Sequence, residues 1–511
     1  MSKAKLLACL AGTVTSCLLA VAARSDETYS VKTVIPVTGG LTSFDIAFVD
    51  ANIDTFVLAD RTNKSIDVVN TTTNTLTKQL TATPPFTGVC VVPPVSSPDV
   101  KADANICADA SGPNGVIIVD QREIWATDSP PISNIKCTET TPIPGATSSP
   151  HFQQVCTATI GTSSVKVIDL RSGHMIATID TGGKKRTDEL CEDVRGEVVL
   201  TANDNPGPAD NFLAFISSES HKILQKIKLD GSDANGTITL TGVTVPPGAK
   251  VAADGIEQCK FNPRTGHYYL AVPATAITSG GTTTAGPGVV LKISRHAPFR
   301  VVETITVPAS TGCAGPQGLA IGPRHEIQLG CGGANSVIID DRSGPLATII
   351  AQQNGEGGAD EVWYNPGDNS FFIARSGAGK LGVWDAGGNE SAAPQGDADV
   401  VTTIGSHVVA ADMKRNQIYV PVRANTVTGT CGVNPTTGKP NPPPCATLCG
   451  ASSTTGLSSQ GCIAVLTAPN DDKCLAQGMP VLDHDDGDDP LFMRTRCRDH
   501  DDDDEHEEAR R

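Results

Sequence analysis

The feature that most constrains the fold is internal repetition. A short β-branched run ending in a polar residue, often followed by a turn, recurs along the chain. It reads VKVIDLRSG at residues 165–173 and SVIIDDRSG at 336–344. Related versions are VIIVDQRE from Val116, SIDVVNTTTN from Ser65 and KLGVWDAGG from Lys380, with weaker copies from Asn211, Val289 and Cys462. The polar markers are Asn70, Asp120, Asp169, Ser217, Ser294, Asp340, Asp385 and Thr467; five of their seven intervals are 45–50 residues and the others are 77 and 82. The long intervals hold Gly-, Thr- and Pro-rich insertions (230–253, 277–288 and 424–461), so eight units is the most economical count. Seven is the alternative, because residues 132–151 give a poorly defined first strand.

Within the first unit, residues 44–49, 55–59, 65–69 and 76–80 form four extended segments separated by Asn, Asp and Thr turns. Four short antiparallel strands cannot bury both faces of their sheet alone, and sheets of this kind stack radially around an axis. The expected fold is therefore all-β: one β-propeller of eight, alternatively seven, four-stranded blades over residues 29–468. No convincing fourth strand follows Thr467, whereas residues 31–37 (VKTVIPV) have the pattern of an outer strand. The N-terminal segment is expected to pair into the last blade and close the ring, which leaves no open sheet edge.

The VKVIDLRSG and SIDVVNTTTN units, with the outer strand at 176–183, resemble the YVTN-type propeller repeat of exported bacterial proteins. The resemblance covers nearly all of residues 29–468, although the naming tetrapeptide is absent and Ile418-Tyr419-Val420 comes closest. It implies a propeller and an extracytoplasmic location. It implies little about activity, because one fold hosts unrelated functions.

Export is also legible at the N-terminus. Lys3 and Lys5 precede a largely apolar stretch, and Ala20-Val21-Ala22 supplies a small-x-small cleavage pattern, giving a signal peptide over residues 1–23. The stretch is too short and interrupted to favour a membrane span, and no later segment approaches the required apolar length. A periplasmic or secreted protein is expected; lipidation at Cys17 is the lesser alternative. Removing Cys9 and Cys17 leaves fourteen of the sixteen cysteines, an even number that favours disulfides in an exported chain. The expected staples are Cys90 with Cys107, Cys137 with Cys156, Cys313 with Cys331, and Cys474 with Cys497. Cys191 and Cys259 occupy equivalent positions and form either an inter-blade disulfide or buried thiols. Cys431, Cys445, Cys449 and Cys462 are read as two disulfides, with a zinc site as the alternative.

Alignment of the innermost strands brings one residue per unit to the channel mouth: Asp45, Gly88, Gln154, Glu189, Glu257, Gln317, Glu361 and His407, with Asp188, Asp360 and His151 nearby. An oxygen-rich ring suits Ca²⁺ or another divalent metal, with Glu189, Glu257, Glu361 and His407 as candidate ligands. Closely spaced carboxylates also raise one another's pKa, as a general acid–base pair requires. The plain alternative is a hydrated channel with no ligand. The tail, 469–511, is the other distinctive region. Residues 483–508 hold thirteen acids against three arginines, or −10 of the net −17, and self-repulsion is expected to keep the tail extended.

A net charge of −17 argues against nucleic-acid binding, which needs clustered cations. The first functional expectation is an exported binding module that recognises an extracytoplasmic protein or small molecule through its blade loops. The second is a metal-dependent hydrolase of the lactone or phosphoester type, by analogy at fold level, and the third is metal handling without turnover. No cofactor is certain, and no G-x-S-x-G, Walker or H-E-x-x-H motif occurs.

Overall fold

Four of the polar residues that end the repeats cap turns. The Asp169 carboxylate accepts hydrogen bonds from the Ser172 N–H and hydroxyl, both at 2.7 Å. Asn70 Oδ1 accepts from the Thr73 N–H at 2.9 Å, Asp340 Oδ1 from the Arg342 N–H at 2.8 Å, and Ser217 Oγ from the Ser220 N–H at 3.1 Å. A short polar side chain that bonds the backbone two or three residues on reverses the chain locally. Each of these turns joins a blade's third strand to its fourth.

The computed structural model describes residues 29–205, 207–355, 357–386, 395–396, 400–424, 449 and 460–467. Blade 1 is Ala47–Asp50, Thr55–Asp60, Ser65–Asn70 and Thr75–Leu80; blade 2 is Val116–Val119, Glu123–Asp128, Ser164–Asp169 and Met175–Asp180. Blade 3 is Thr187–Asp193, Val198–Asn203, Phe212–Ser217 and Ile223–Lys228; blade 4 is Cys259–Asn262, His267–Val272, Val289–Ser294 and Val301–Thr306. Blade 5 is Pro316–Ile321, Glu326–Cys331, Asn335–Asp340 and Ile349–Asn354. Blade 6 has Ala359–Asn365, Ser370–Arg375 and Lys380–Asp385, with the short strands Gln395–Gly396 and Val400–Val401 against its third strand. Blade 7 is Ala410–Asp412, Gln417–Val422, Cys462–Thr467 and the N-terminal Ser30–Pro36.

The N-terminal strand runs antiparallel to the last one, from Ser30 opposite Thr467 to Pro36 opposite Cys462. Each blade's first strand contacts the first strands of the blades on either side, and blade 7 meets blade 1, so the sheets form a closed ring. This is a β-propeller. The described residues contain seven such sheets rather than eight. The extra unit came from Asp120, which does not end a third strand. It sits with Gln121, both at positive φ, in the tight turn between the first and second strands of blade 2, the blade that also contains Asp169. A β-branched run followed by Asp marks a hairpin end without saying which hairpin.

The core is divided into wedges between neighbouring blades. Blades 7 and 1 bury Ile35, Phe56, Leu58, Tyr419 and Val465 together, with the Phe56 and Tyr419 rings stacked at 5.0 Å. Blades 3 and 4 bury Leu200, Phe215, Tyr268 and Leu291. The same wedge carries the Cys191–Cys259 disulfide, which joins the first strands of the two blades. Cys90–Cys107, Cys137–Cys156 and Cys313–Cys331 are paired as the spacing suggested. Cys462 pairs with Cys449, which removes both from the zinc alternative. Cys431, Cys445, Cys474, Cys497, the expected signal peptide and the acidic tail lie outside the described residues. Five disulfides suit an oxidising, extracytoplasmic compartment. Among the described residues no helix is long and apolar enough to cross a membrane.

Strand direction places the insertions. First strands run away from the mouth and second strands return to it, so second-to-third turns and blade-to-blade connections share one face. The Ile132–Pro142 and Phe152–Ile160 hairpin leaves blade 2 there, pairing with Val100–Lys101 from the blade 1–2 connection. The Ala274–Ser279 and Thr282–Gly286 hairpin leaves blade 4 there, pairing with Lys250–Asp254 from the blade 3–4 connection. The insertion 424–461 also begins and ends on this face, between the second and third strands of blade 7; apart from Ala424, Cys449, Gln460 and Gly461 it lies outside the described residues.

The charged mouth of the central channel

Strand starts bring Asp45, Asp188, Glu257, Gln317, Asp360 and His407 to the insertion-bearing end of the channel, with Glu189 and Glu361 one residue deeper. Gly88 and Gln154 are not among them. Gly88 bridges Gly112 in the blade 1–2 connection. Gln154 is buried in the blade 2 hairpin, donating to the Pro94 carbonyl at 3.2 Å and accepting from the Asp103 N–H at 3.2 Å. His151 is exposed on that hairpin beside Asp99. Asn114 takes the corresponding place in blade 2: its N–H bonds the Thr127 carbonyl, as the Asp45 N–H bonds that of Ala59.

Two cations missed in the sequence organise the ring. Arg61, in the turn after the second strand of blade 1, pairs with Asp45 and donates to Asn114 Oδ1 at 2.5 Å. Arg186, just before the first strand of blade 3, reaches Asp188 at 3.0 Å, Asp204 at 3.1 Å, Glu257 at 3.5 Å and Asp109 at 3.9 Å. His407 Nε2 lies 3.2 Å from Asp45 Oδ1, its Nδ1 lies 2.9 Å from the Gly405 carbonyl, and its ring stacks on Phe44 at 5.1 Å. The only local signal for these cations was the run Lys184-Lys185-Arg186 in an otherwise acidic chain. An inner-strand alignment overlooks Arg61 because it belongs to a turn.

Burial and charge set the protonation pattern. Burial pushes Asp45 up, but Arg61 and the His407 hydrogen bond outweigh it and hold the carboxyl at about 2. Burial pushes His407 down; its bond to Asp45 and the charges of Asp360 and Asp45 overcome this and raise it to about 9. Burial lifts Asp188 to about 7 against the pull of Arg186. Deeper, burial lifts Glu361 to about 8 against Lys260 and the Val409 N–H. Glu189 rises well above its ordinary range through burial, helped by Asp188 and Glu361. Glu257 rises too, from burial that Arg186 only partly offsets. At neutral pH this is a mixed network of ionised pairs and neutral carboxyls rather than a bare anionic ring.

The four candidate metal ligands have protein partners or neighbours in this network. Glu257 faces Arg186, and His407 faces Asp45. Glu361 accepts from Gln258 Nε2 at 3.4 Å and from the Val409 N–H at 3.3 Å, while Glu189 lies buried next to Asp188. Among the described residues no group of three or more His, Cys, Asp or Glu is arranged to hold a metal ion. The mouth can instead offer fixed donors and acceptors of both signs to a ligand or partner. Around it, the blade 1–2 connection exposes Val89 and Val91, and the blade 2 hairpin exposes Ile135, Phe152, Val155 and Ile160.

No family model and no curated protein sequence matches the chain. Among solved structures it is similar to the hydrazine synthase of Kuenenia stuttgartiensis, at 12% identity and TM-score 0.42 over 67% of this chain and 83% of that one. It is also similar to a chain of a mitotic checkpoint complex, at 9% identity and TM-score 0.44 over 82% and 94% of the two chains. A third likeness is to U3-55K, at 7% identity and TM-score 0.46 over 86% and 98%. The propeller assignment rests on strand order and ring closure.

Proposed function

We propose that this chain is an exported, YVTN-like propeller acting as a binding module, with an extracytoplasmic protein or small molecule recognised on the insertion-bearing face. The observation that carries the reading is the gathering of specialised features on that face. The charged mouth opens there, and the blade 2 and blade 4 hairpins leave the scaffold there. Six exposed large apolar side chains lie on the blade 2 hairpin and on the blade 1–2 connection that pairs with it. Contiguous exposed apolar surface marks interaction sites, and loops on a rigid scaffold are where such folds carry specificity. Cys90–Cys107 and Cys137–Cys156 staple these segments, which lowers the entropy lost when they are bound. The YVTN likeness is supported by the placement of the repeats: residues 165–173 and 336–344 each span a third strand and its capped turn.

Site-specific photocrosslinking in the exporting host tests the proposal. A photoreactive residue at Val91 or Phe152 should yield a discrete adduct, and one at Thr73 or Arg171, in third-to-fourth-strand turns on the opposite face, should not. Adducts only from Thr73 or Arg171, or none from any position, would refute it.

A further inference from the structure

The opposite end of the channel holds a second feature that the binding face does not use. The first strands of blades 1 to 4 end around a cavity of about 260 Å³. Its walls include Phe48, Ile117, Ile118, Leu190 and Phe261, and polar side chains enter at Lys260, Glu192, Arg195 and Arg295. These groups are not equivalent. Arg295 is committed, with two donors on the Asp193 carboxylate at 2.5 and 2.9 Å and its guanidinium over the Phe261 ring at 5.4 Å. Lys260 is not. Among the described residues its ammonium has no hydrogen bond or ion pair and lies 5.0 Å above the Trp363 ring. Glu189 and Glu361 sense its charge, but burial drives both towards the neutral form. Glu192 Oε1 is buried and has no hydrogen-bond partner among the described residues. Burial, with the charges of Asp120, Asp193 and Asp50, pushes this carboxyl up to about 8.

We propose that this cavity binds a small amphipathic carboxylate, with its apolar body against Phe48, Ile117, Leu190 and Phe261 and its carboxylate on Lys260. A half-buried ammonium beside apolar walls gains a charge-assisted hydrogen bond from such a ligand. A concave, mainly apolar site with a few convergent polar groups is the usual form of a small-molecule pocket. The site lies on the face away from the insertions, so it stands or falls independently of partner recognition there.

Calorimetric titration of the full chain at pH 7 with 4-phenylbutyrate, 4-phenylbutan-1-ol and 4-phenylbutylamine tests the assignment. The carboxylate should bind about tenfold or more tightly than the alcohol, as expected for one charge-assisted hydrogen bond, and the amine weakest of the three. Lys260→Met should abolish the preference of carboxylate over alcohol, and Lys260→Arg should retain it. Equal binding of acid and alcohol, tighter binding of the amine, no binding of the acid, or a folded Lys260→Met protein that keeps the preference would each overturn the proposal. If Lys260→Met does not fold, the comparison of the three ligands on the wild-type chain decides.

Discussion

At the residue scale, His407 shows how one channel group links protonation to folding. Its folded pKa of about 9 lies above the ordinary 6.5, so the imidazolium form stabilises the native state. That contribution is fully present below pH 6.5 and is lost as pH rises through about 9. His407→Gln should therefore be less stable than wild type at pH 6, by on the order of 3 kcal/mol for a shift of this size, and the gap should close by pH 9.5. Urea unfolding at the two pH values measures this; a pH-independent gap would show that Phe44 stacking, not charge, is what the substitution removes. Glu361 changes stability in the same direction with pH, as a growing penalty rather than a lost gain. Its carboxyl is raised to about 8, so its burial costs more stability as pH rises from 4.5 towards 8.

At the element scale, Cys191 and Cys259 tie the first strands of blades 3 and 4, 68 residues apart in sequence. Replacing both by Ala should cost about 4 kcal/mol by the chain-entropy model for a loop of that length, with the fold retained. Comparison of denaturation midpoints with those of the Cys313→Ala/Cys331→Ala protein, whose loop is shorter, should rank the former as the larger loss. The propeller architecture was legible in the chain because its signal is local and repeated: β-branched triplets and a polar cap whose side chain makes the turn. Ring closure by residues 31–37 was legible because an unpaired last strand needs a partner. The blade count was less so, because Asp120 in a first hairpin looks the same as Asp169 in a third. At the mouth, strand alignment found Asp45, Glu189, Glu257, Glu361 and His407. It missed Arg61, Arg186 and Asn114, whose positions depend on turns and on which strand follows the long connection between Leu80 and Val116. The arginines pair with Asp45, Asp188, Asp204 and Glu257 around the mouth.

At the scale of the whole molecule, integrity depends on a single seam. Blade 7 obtains its outer strand from the N-terminus, and blade 7 meets blade 1 through Tyr419 on Asn74 at 2.6 Å, Asn74 on Gln417 at 2.8 Å and Arg415 on Asp54 at 2.9 Å. Deleting Ser30–Pro36 exposes the edge of Cys462–Thr467 and uncovers Tyr419 and Val465. The truncated chain should bind a hydrophobic dye and lose cooperative thermal unfolding, whereas an alanine substitution at exposed Lys32 should change neither. Retention of a sharp transition by the truncated chain would show that the ring holds without its N-terminal strand.

The pairing of Ser30 with Thr467 also imposes an order of events. Ser30–Pro36 leaves the ribosome long before Cys462–Thr467, so a chain delivered only in part carries an unclosed stack of sheets with a raw flank at each end. The finished circle therefore reports that delivery has passed Thr467: a chain cut short before Cys462 lacks the strand that Ser30–Pro36 pairs with.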